Sequence, residues 1–150
     1  MPHTYIASYA HVIFSTKERR RVITPDLQQS LWPYIGGIAR AHDMRALCVG
    51  GVEDHLYVLL SQNGTLGLSK VVQLLKGNSS KWINDALKGR RDFAWQEGFG
   101  AFSIGQSPLE RTAQYIQGQA EHHRRVSFEE EFVTFLKRYG VQYDPRYVFG

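Results

Sequence analysis

Glu53, His55 and Tyr57 stand at alternate positions of the stretch Gly51-Val52-Glu53-Asp54-His55-Leu56-Tyr57-Val58-Leu59-Leu60. The stretch reads as a buried strand. Val58, Leu59 and Leu60 are an apolar run, and large apolar or β-branched residues fill most other positions. A strand alternates faces, so a carboxylate, an imidazole and a phenol line one side, while Asp54, Leu56 and Val58 point to the other. Buried polar groups must be paired. Either this is a histidine satisfied locally at a strand end, or these groups serve nucleophilic chemistry or metal ligation. A second polar set lies in Gln114-Tyr115-Ile116-Gln117-Gly118-Gln119-Ala120-Glu121-His122-His123. On a helix Tyr115 and Gln119, four apart, share a face, which His122 and His123 extend. Read by itself, that segment is also a polar solvent-facing helix with one tyrosine anchored on the core.

The elements that must position these residues follow from pattern. Residues 4–17 predict a long strand rich in aromatic and β-branched residues. Thr24-Pro25 opens a helix with a capping hydroxyl and a first-turn proline, and Leu27, Leu31, Ile35 and Ile38 carry its apolar stripe to about His42. Gly36-Gly37 within it predicts close packing. Residues 44–50 form a second strand, and Gly50-Gly51 predicts the tight turn into the His55 strand. A helix from about Thr65 to Lys88 turns Val71, Leu75 and Trp82 to the core, with a kink allowed at Gly77-Asn78-Ser79-Ser80. Residues 99–104 form a fourth strand. Ser107-Pro108-Leu109-Glu110 starts a helix to about Arg124 through a capping box, and Ser127-Phe128-Glu129-Glu130 starts another that stops at Gly140. The tail, with Tyr143, Pro145, Tyr147 and Phe149, is aromatic enough to dock on a surface.

The order βαββαβ followed by two helices predicts an α+β, ferredoxin-like antiparallel sheet with helices on one face and two further C-terminal helices. The first and third strands are central in that topology, so the His55 strand lies beside the His11 strand. With 150 residues, one domain spanning 1–150 is expected. The 43% hydrophobic and 21% charged composition is that of a globular chain. No membrane-length apolar run or signal-peptide pattern is present, and the single cysteine, Cys48, excludes an internal disulfide. A cytoplasmic protein is expected. The net charge of +4 permits nucleic-acid binding without establishing it.

Basic residues concentrate in two places. Lys17-Glu18-Arg19-Arg20-Arg21 is a charged loop, either a solvated connector or a phosphate-facing strand end. Lys70, Gln73, Lys76, Ser80, Lys81, Asn84 and Lys88 share the polar side of the second helix, and Arg90 and Arg91 lie just beyond. Lysines interleaved with hydroxyl and amide groups suit phosphate contacts, so Lys70, Lys76, Lys81, Lys88, Arg90 and Arg91 are candidate DNA-binding residues.

Several of these segments, in this order and across nearly the whole chain, resemble the IS200/IS605-like, or REP-associated, single-tyrosine transposases of the HUH type. His11-Val12-Ile13-Phe14-Ser15-Thr16-Lys17 is similar to the family's first strand. Asp54-His55-Leu56-Tyr57-Val58-Leu59-Leu60 resembles the strand with the metal-binding His-hydrophobic-His motif. Lys76-Gly77-Asn78-Ser79-Ser80-Lys81-Trp82-Ile83 resembles the basic helix, and Tyr115-Ile116-Gln117-Gly118-Gln119 the nucleophile helix. The resemblance implies a homodimeric enzyme that cuts single-stranded, often hairpin-forming DNA through a 5′-phosphotyrosine. It implies Tyr115 as nucleophile and His55 and Gln119 as ligands of Mg²⁺ or Mn²⁺. Tyr57 departs from the pattern, standing where the family has its second histidine. It is a candidate third ligand, and its presence implies a weakened metal site. Rival readings are a catalytically silent nucleic-acid-binding ferredoxin-like protein and a small-molecule-binding regulatory domain.

Overall fold

The computed structural model describes residues 5–86, 92–122, 126–146 and 148. Among them the elements run β1 (Tyr9–Ser15), α1 (Pro25–Ala41), β2 (Arg45–Val52), β3 (His55–Ser61), α2 (Leu68–Ala86), β4 (Gly100–Ile104), α3 (Leu109–Gln117), α4 (Gln119–His122) and α5 (Phe128–Arg138). The strands form one sheet in the order β2-β3-β1-β4, with every neighbouring pair antiparallel. This is the expected α+β, ferredoxin-like arrangement, with β1 and β3 central.

The period-2 alternation of the central strands divides the core into two layers. Val12 and Phe14 of β1, with Leu56, Val58 and Leu60 of β3, pack under Leu31 and Ile35 of α1 and Val71 and Leu75 of α2. Ile13, Tyr57, Leu59 and Phe102 point to the other face, where Ile116 of α3 and Phe128, Phe132 and Phe135 of α5 cover them. Each fully buried large apolar side chain is worth about 1.5–3 kcal/mol, so α3 and α5 are needed to keep this second face dry. The described tail contributes Tyr143 and Val148 to the same layer, which fits the docked tail expected from its composition.

The capping signals hold where a hydroxyl precedes the helix directly. Thr24 Oγ1 accepts the Leu27 N–H, and Ser127 Oγ accepts the Glu130 N–H at 3.2 Å. Ser107 behaves differently: α3 begins at Leu109 with Pro108 in the cap position and no side-chain cap bond. β1 is shorter than expected because its neighbours run out; Tyr9 already pairs with Ser61 and Ile104, the last residues of β3 and β4. The hairpin turns at Glu53-Asp54 rather than at Gly50-Gly51, which lie within β2 opposite Tyr57 and Leu56. A β-carbon at Gly36 or Gly37 would meet only the Arg40 guanidinium, at 3.9 and 3.8 Å, so that pair serves no close packing. α2 continues through Gly77-Asn78-Ser79-Ser80. The buried Ser79 hydroxyl donates to the Leu75 carbonyl and accepts the Trp95 indole N–H at 2.9 Å.

Candidate active site

His55 opens β3 directly after the hairpin turn, so its chain neighbour Asp54 can reach its ring. His55 is fully buried, and its Nδ1 lies 2.8 Å from Asp54 Oδ1. A carboxylate there accepts a hydrogen bond from Nδ1–H, which keeps that proton on Nδ1 and leaves the lone pair on Nε2. Gln119 is equally buried, and its amide nitrogen donates to the Tyr115 carbonyl at 3.1 Å. That bond sets the orientation of the amide and turns Oε1 towards His55 Nε2, at 3.4 Å. In this tautomer two acceptors face each other, an arrangement that a cation between them would satisfy. Two ligand atoms at about 2.1 Å and roughly a right angle around one ion lie about 3 Å apart, so the pair fits a divalent cation after a small closure. Among the described residues no group of three or more His, Cys, Asp or Glu is placed to hold a metal. A metal here therefore depends on the Gln119 amide.

Tyr115 reaches this pair from the last turn of α3. The helix expected to run from Pro108 to Arg124 breaks at Gly118 (φ −91°, ψ 18°), whose N–H bonds back to the Gln114 and Tyr115 carbonyls. Gln119 therefore begins α4. The half-buried Tyr115 ring stacks 6.1 Å from that of Tyr57 and stands edge-on 5.2 Å from that of His122. Burial pushes the Tyr115 hydroxyl up to about 12, against smaller opposing pulls from the Gln119 side chain and the Arg138 charge. The phenol is thus neutral at pH 7.

Tyr57 and His11 share the sheet face beneath Tyr115, with ring centroids 5.1 Å apart. Tyr57 is fully buried, and among the described residues its hydroxyl has no hydrogen-bond partner. His11 is 2% exposed, and its Nε2 also lacks one. Burial lowers the His11 ring to about 4, so it is neutral at pH 7. The sequence reading gave His11 no role of its own. The available signal was strand parity: His11 shares the β1 face of Ile13, which pairs with Tyr57.

Beside Tyr115 a cavity of about 560 Å³ opens between the edge of the sheet and helices α3 and α5, and His11, His122, Glu131, Phe135 and Arg138 help line it. Burial pushes the Glu131 carboxyl up to about 8, and His122 Nε2 contacts Glu131 Oε2. Glu53 is turned to the surface and pairs with Arg21 at 2.6 Å, so it does not line up with His55 and Tyr57 as strand alternation suggested. His123 lies outside the described residues. Cys48 is buried, its thiol donates to the Ala113 carbonyl at 3.6 Å, and burial pushes it up.

The described candidate DNA-binding lysines are not gathered at this site. α2 packs on the sheet face opposite Tyr115. Lys70 and Lys81 are exposed there. The half-buried Lys76 instead donates from Nζ to the carbonyls of Gln96, Glu97 and Gly98, at 2.8, 3.3 and 2.5 Å. Burial lowers its ammonium to about 8. Asn84 likewise binds the backbone of Phe93. Lys88, Arg90 and Arg91 lie outside the described residues. In the Lys17–Arg21 loop, Arg19 pairs with Glu129, Arg20 with Glu18 and Asp92, and Arg21 with Glu53. Its charge is largely compensated.

No curated protein matches the chain. Among solved structures, a candidate transposase from Deinococcus radiodurans R1 superposes with a TM-score of 0.64 at 19% identity, over 79% of this chain and 96% of that one. A REP-associated tyrosine transposase bound to a REP hairpin superposes with a TM-score of 0.56 at 16% identity, over 77% of this chain and 68% of that one. At these identities both likenesses concern the fold. The family model described as "Transposase IS200 like" matches residues 4–119, which include β1, the His55 strand and the segment from Tyr115 to Gln119. The chain belongs to the IS200-like transposase family.

Proposed function

We propose that this transposase binds hairpin-forming single-stranded DNA and cleaves and rejoins it through Tyr115, with Mg²⁺ or Mn²⁺ as cofactor. The observation that carries the reading is the placement of Tyr115 next to Gln119, whose carbonyl oxygen faces the Asp54-oriented Nε2 of His55. The likeness to a REP-associated transposase that binds a REP hairpin makes hairpin DNA the substrate to test first.

Tyr115 Oη attacks the phosphorus and loses its proton. The bond from phosphorus to the 3′ oxygen breaks, and that oxygen takes up a proton as it leaves. The products are a 5′-phosphotyrosine and a free 3′-OH; attack by a 3′-OH on the phosphotyrosine reverses the step and rejoins strands. His55 and Gln119 would hold the cation, with the Tyr57 hydroxyl as the candidate third donor. A divalent cation, when bound, supplies Lewis-acid stabilisation of the charged phosphate oxygens. Asp54 keeps His55 in the coordinating tautomer, and α3 and α5 exclude water from the face beneath Tyr115. The exposed Lys70 and Lys81 offer phosphate contacts on the far side of the sheet. The protein works as a homodimer in the cytoplasm; no helix among the described residues is long and apolar enough to cross a membrane.

One observation favours a second reading, a DNA-binding relative that no longer cuts. Tyr57 stands at the second motif position, with its hydroxyl unpartnered. Incubation with labelled hairpin-tailed single strands and Mn²⁺ decides between them. A covalent protein–DNA band that is lost in Tyr115→Phe, with DNA binding retained, is the expected result. An adduct that persists in that variant moves the nucleophile elsewhere, and binding without any adduct supports the silent relative.

A further inference from the structure

The cavity of about 560 Å³ beside Tyr115 has a mixed lining, in which aromatic rings stand beside Arg111, Arg138, Ser103 and Thr112. Its floor includes His11, which is 2% exposed with Nε2 unpartnered. A buried polar atom left without a partner is uncommon and calls for one. An imidazole nitrogen without a partner can pair with the edge of a heterocycle. Part of the wall is aromatic. Phe135 stands edge-on to His11 at 5.5 Å, and the Tyr115 and Tyr139 rings also face the space. Tyr139 is 40% exposed, so one wall reaches solvent. Charge enters at the rim, where the Arg138 guanidinium lies 5.8 Å from the Phe135 ring centre. Aromatic rings beside an unpartnered ring nitrogen, with the cations Arg111 and Arg138 in the same lining, can take a nucleobase together with its phosphate. The volume falls within the usual range of about 300–1,000 Å³ for small-ligand sites.

We propose that this cavity is a nucleobase pocket, which takes one unstacked base adjacent to the phosphate that Tyr115 attacks and reads its edge through His11 Nε2. The inference rests on the DNA reading above and goes beyond it, because it assigns sequence preference to the protein at one position of the single strand. A base held there would also fix the strand against Tyr115, so recognition and alignment would be one event.

The test measures binding, without metal and therefore without cleavage. A hairpin carrying single-stranded tails of randomised sequence is retained on the full chain, and the retained pool is sequenced. The expected result is one tail position with a base preference of about tenfold, the scale of one base contact. That preference should flatten in His11→Phe, while affinity for the hairpin itself changes little. Because His11 is a core residue, Thr134→Trp serves as a second variant. Thr134 is exposed at the cavity wall, and the larger ring would block entry without disturbing the core. An abasic nucleotide at the preferred position should weaken wild-type binding about tenfold and leave the Thr134→Trp variant unaffected. Hairpin retention with no preferred tail position, or a preference unchanged in both variants, overturns the pocket and leaves the DNA reading standing. Failure to retain any DNA overturns both.

Discussion

The main chain at Gly50 passes so close beneath α3 that a β-carbon there would stand 2.6 Å from the carbonyl oxygen of Ile116. Ile116 is the chain neighbour of Tyr115 and is itself 1% exposed. β2 therefore sets how near the Tyr115 helix can approach the sheet, although it carries none of the proposed reactive groups.

Gly50→Ala must displace α3, because the atom in the way is backbone. We expect a loss of about 1–3 kcal/mol in stability, the usual range for overpacking. Adduct formation should fall more steeply than DNA binding, since Tyr115 moves with the helix. Thermal unfolding and a covalent-adduct assay check the two parts; an alanine variant with unchanged adduct yield would show that the helix position does not govern the chemistry.

This contact explains one place where sequence and structure diverge. Gly50-Gly51 is the strongest local turn signal before β3, yet its first glycine answers to a helix far along the chain. The turn itself falls on Glu53-Asp54, which local pattern did not single out. The core alternation of β1 and β3 and the stripes of α1 and α2 were legible because they depend on period alone. Gly118 was not legible as a break, because the helical spacing of Tyr115, Gln119 and His122 continues across it. Nor was the fate of Lys76 legible: a lysine on a polar helix face reads as solvated, and only the fold brings the carbonyls of 96–98 to it. Of the site, the pairing of Tyr115 and Gln119 with His55 followed from the resemblance, while His11 needed the register of β1.

The three helix lysines should separate in function. Lys70→Ala with Lys81→Ala should weaken single-strand binding and reduce the slope of log K against log salt by about 1.4, two phosphate contacts' worth. Lys76→Ala should leave that slope unchanged and cost about 1–2 kcal/mol in stability, because it releases three backbone carbonyls from a charged donor. Salt titrations of affinity beside thermal unfolding test this; a slope change in Lys76→Ala would return that lysine to the DNA surface.

Stability should respond to pH in two opposed ways. Burial lowers His11 to about 4, below its unfolded value, so its contribution is present above about 6.5 and lost as pH falls towards 4. Burial raises Glu131 to about 8, so its contribution is present below about 4.5 and lost as pH rises through 8. The contact with His122 moderates the second effect, and we expect about 2 kcal/mol across that window. In Glu131→Gln the alkaline decline should flatten, and in His11→Phe the acid decline should. Unfolding temperatures measured from pH 4 to 9 for the three proteins read both limbs. An alkaline limb that survives in Glu131→Gln would assign the decline to another group.

On the proposed metal reading, Tyr57 sets how tightly the site holds a cation. A free phenol has a reference pKa of about 10, so ligation by a tyrosine at neutral pH requires the cation to displace a proton, a cost that a neutral histidine does not carry. The Tyr57 hydroxyl is buried without a partner among the described residues, which itself costs about 1–3 kcal/mol. Without metal, Tyr57→Phe should therefore be as stable as the parent or more so. If the hydroxyl ligates, the same variant binds Mn²⁺ more weakly. Tyr57→His supplies a neutral donor on the sheet face of His55, two residues along the strand, and should raise Mn²⁺ affinity about tenfold or more and increase adduct formation. Mn²⁺ titration of the parent and both variants, followed by unfolding and by adduct yield, separates the cases. A histidine variant that binds no more tightly and cuts no faster would make Tyr57 a competent ligand and the weakened-site reading wrong.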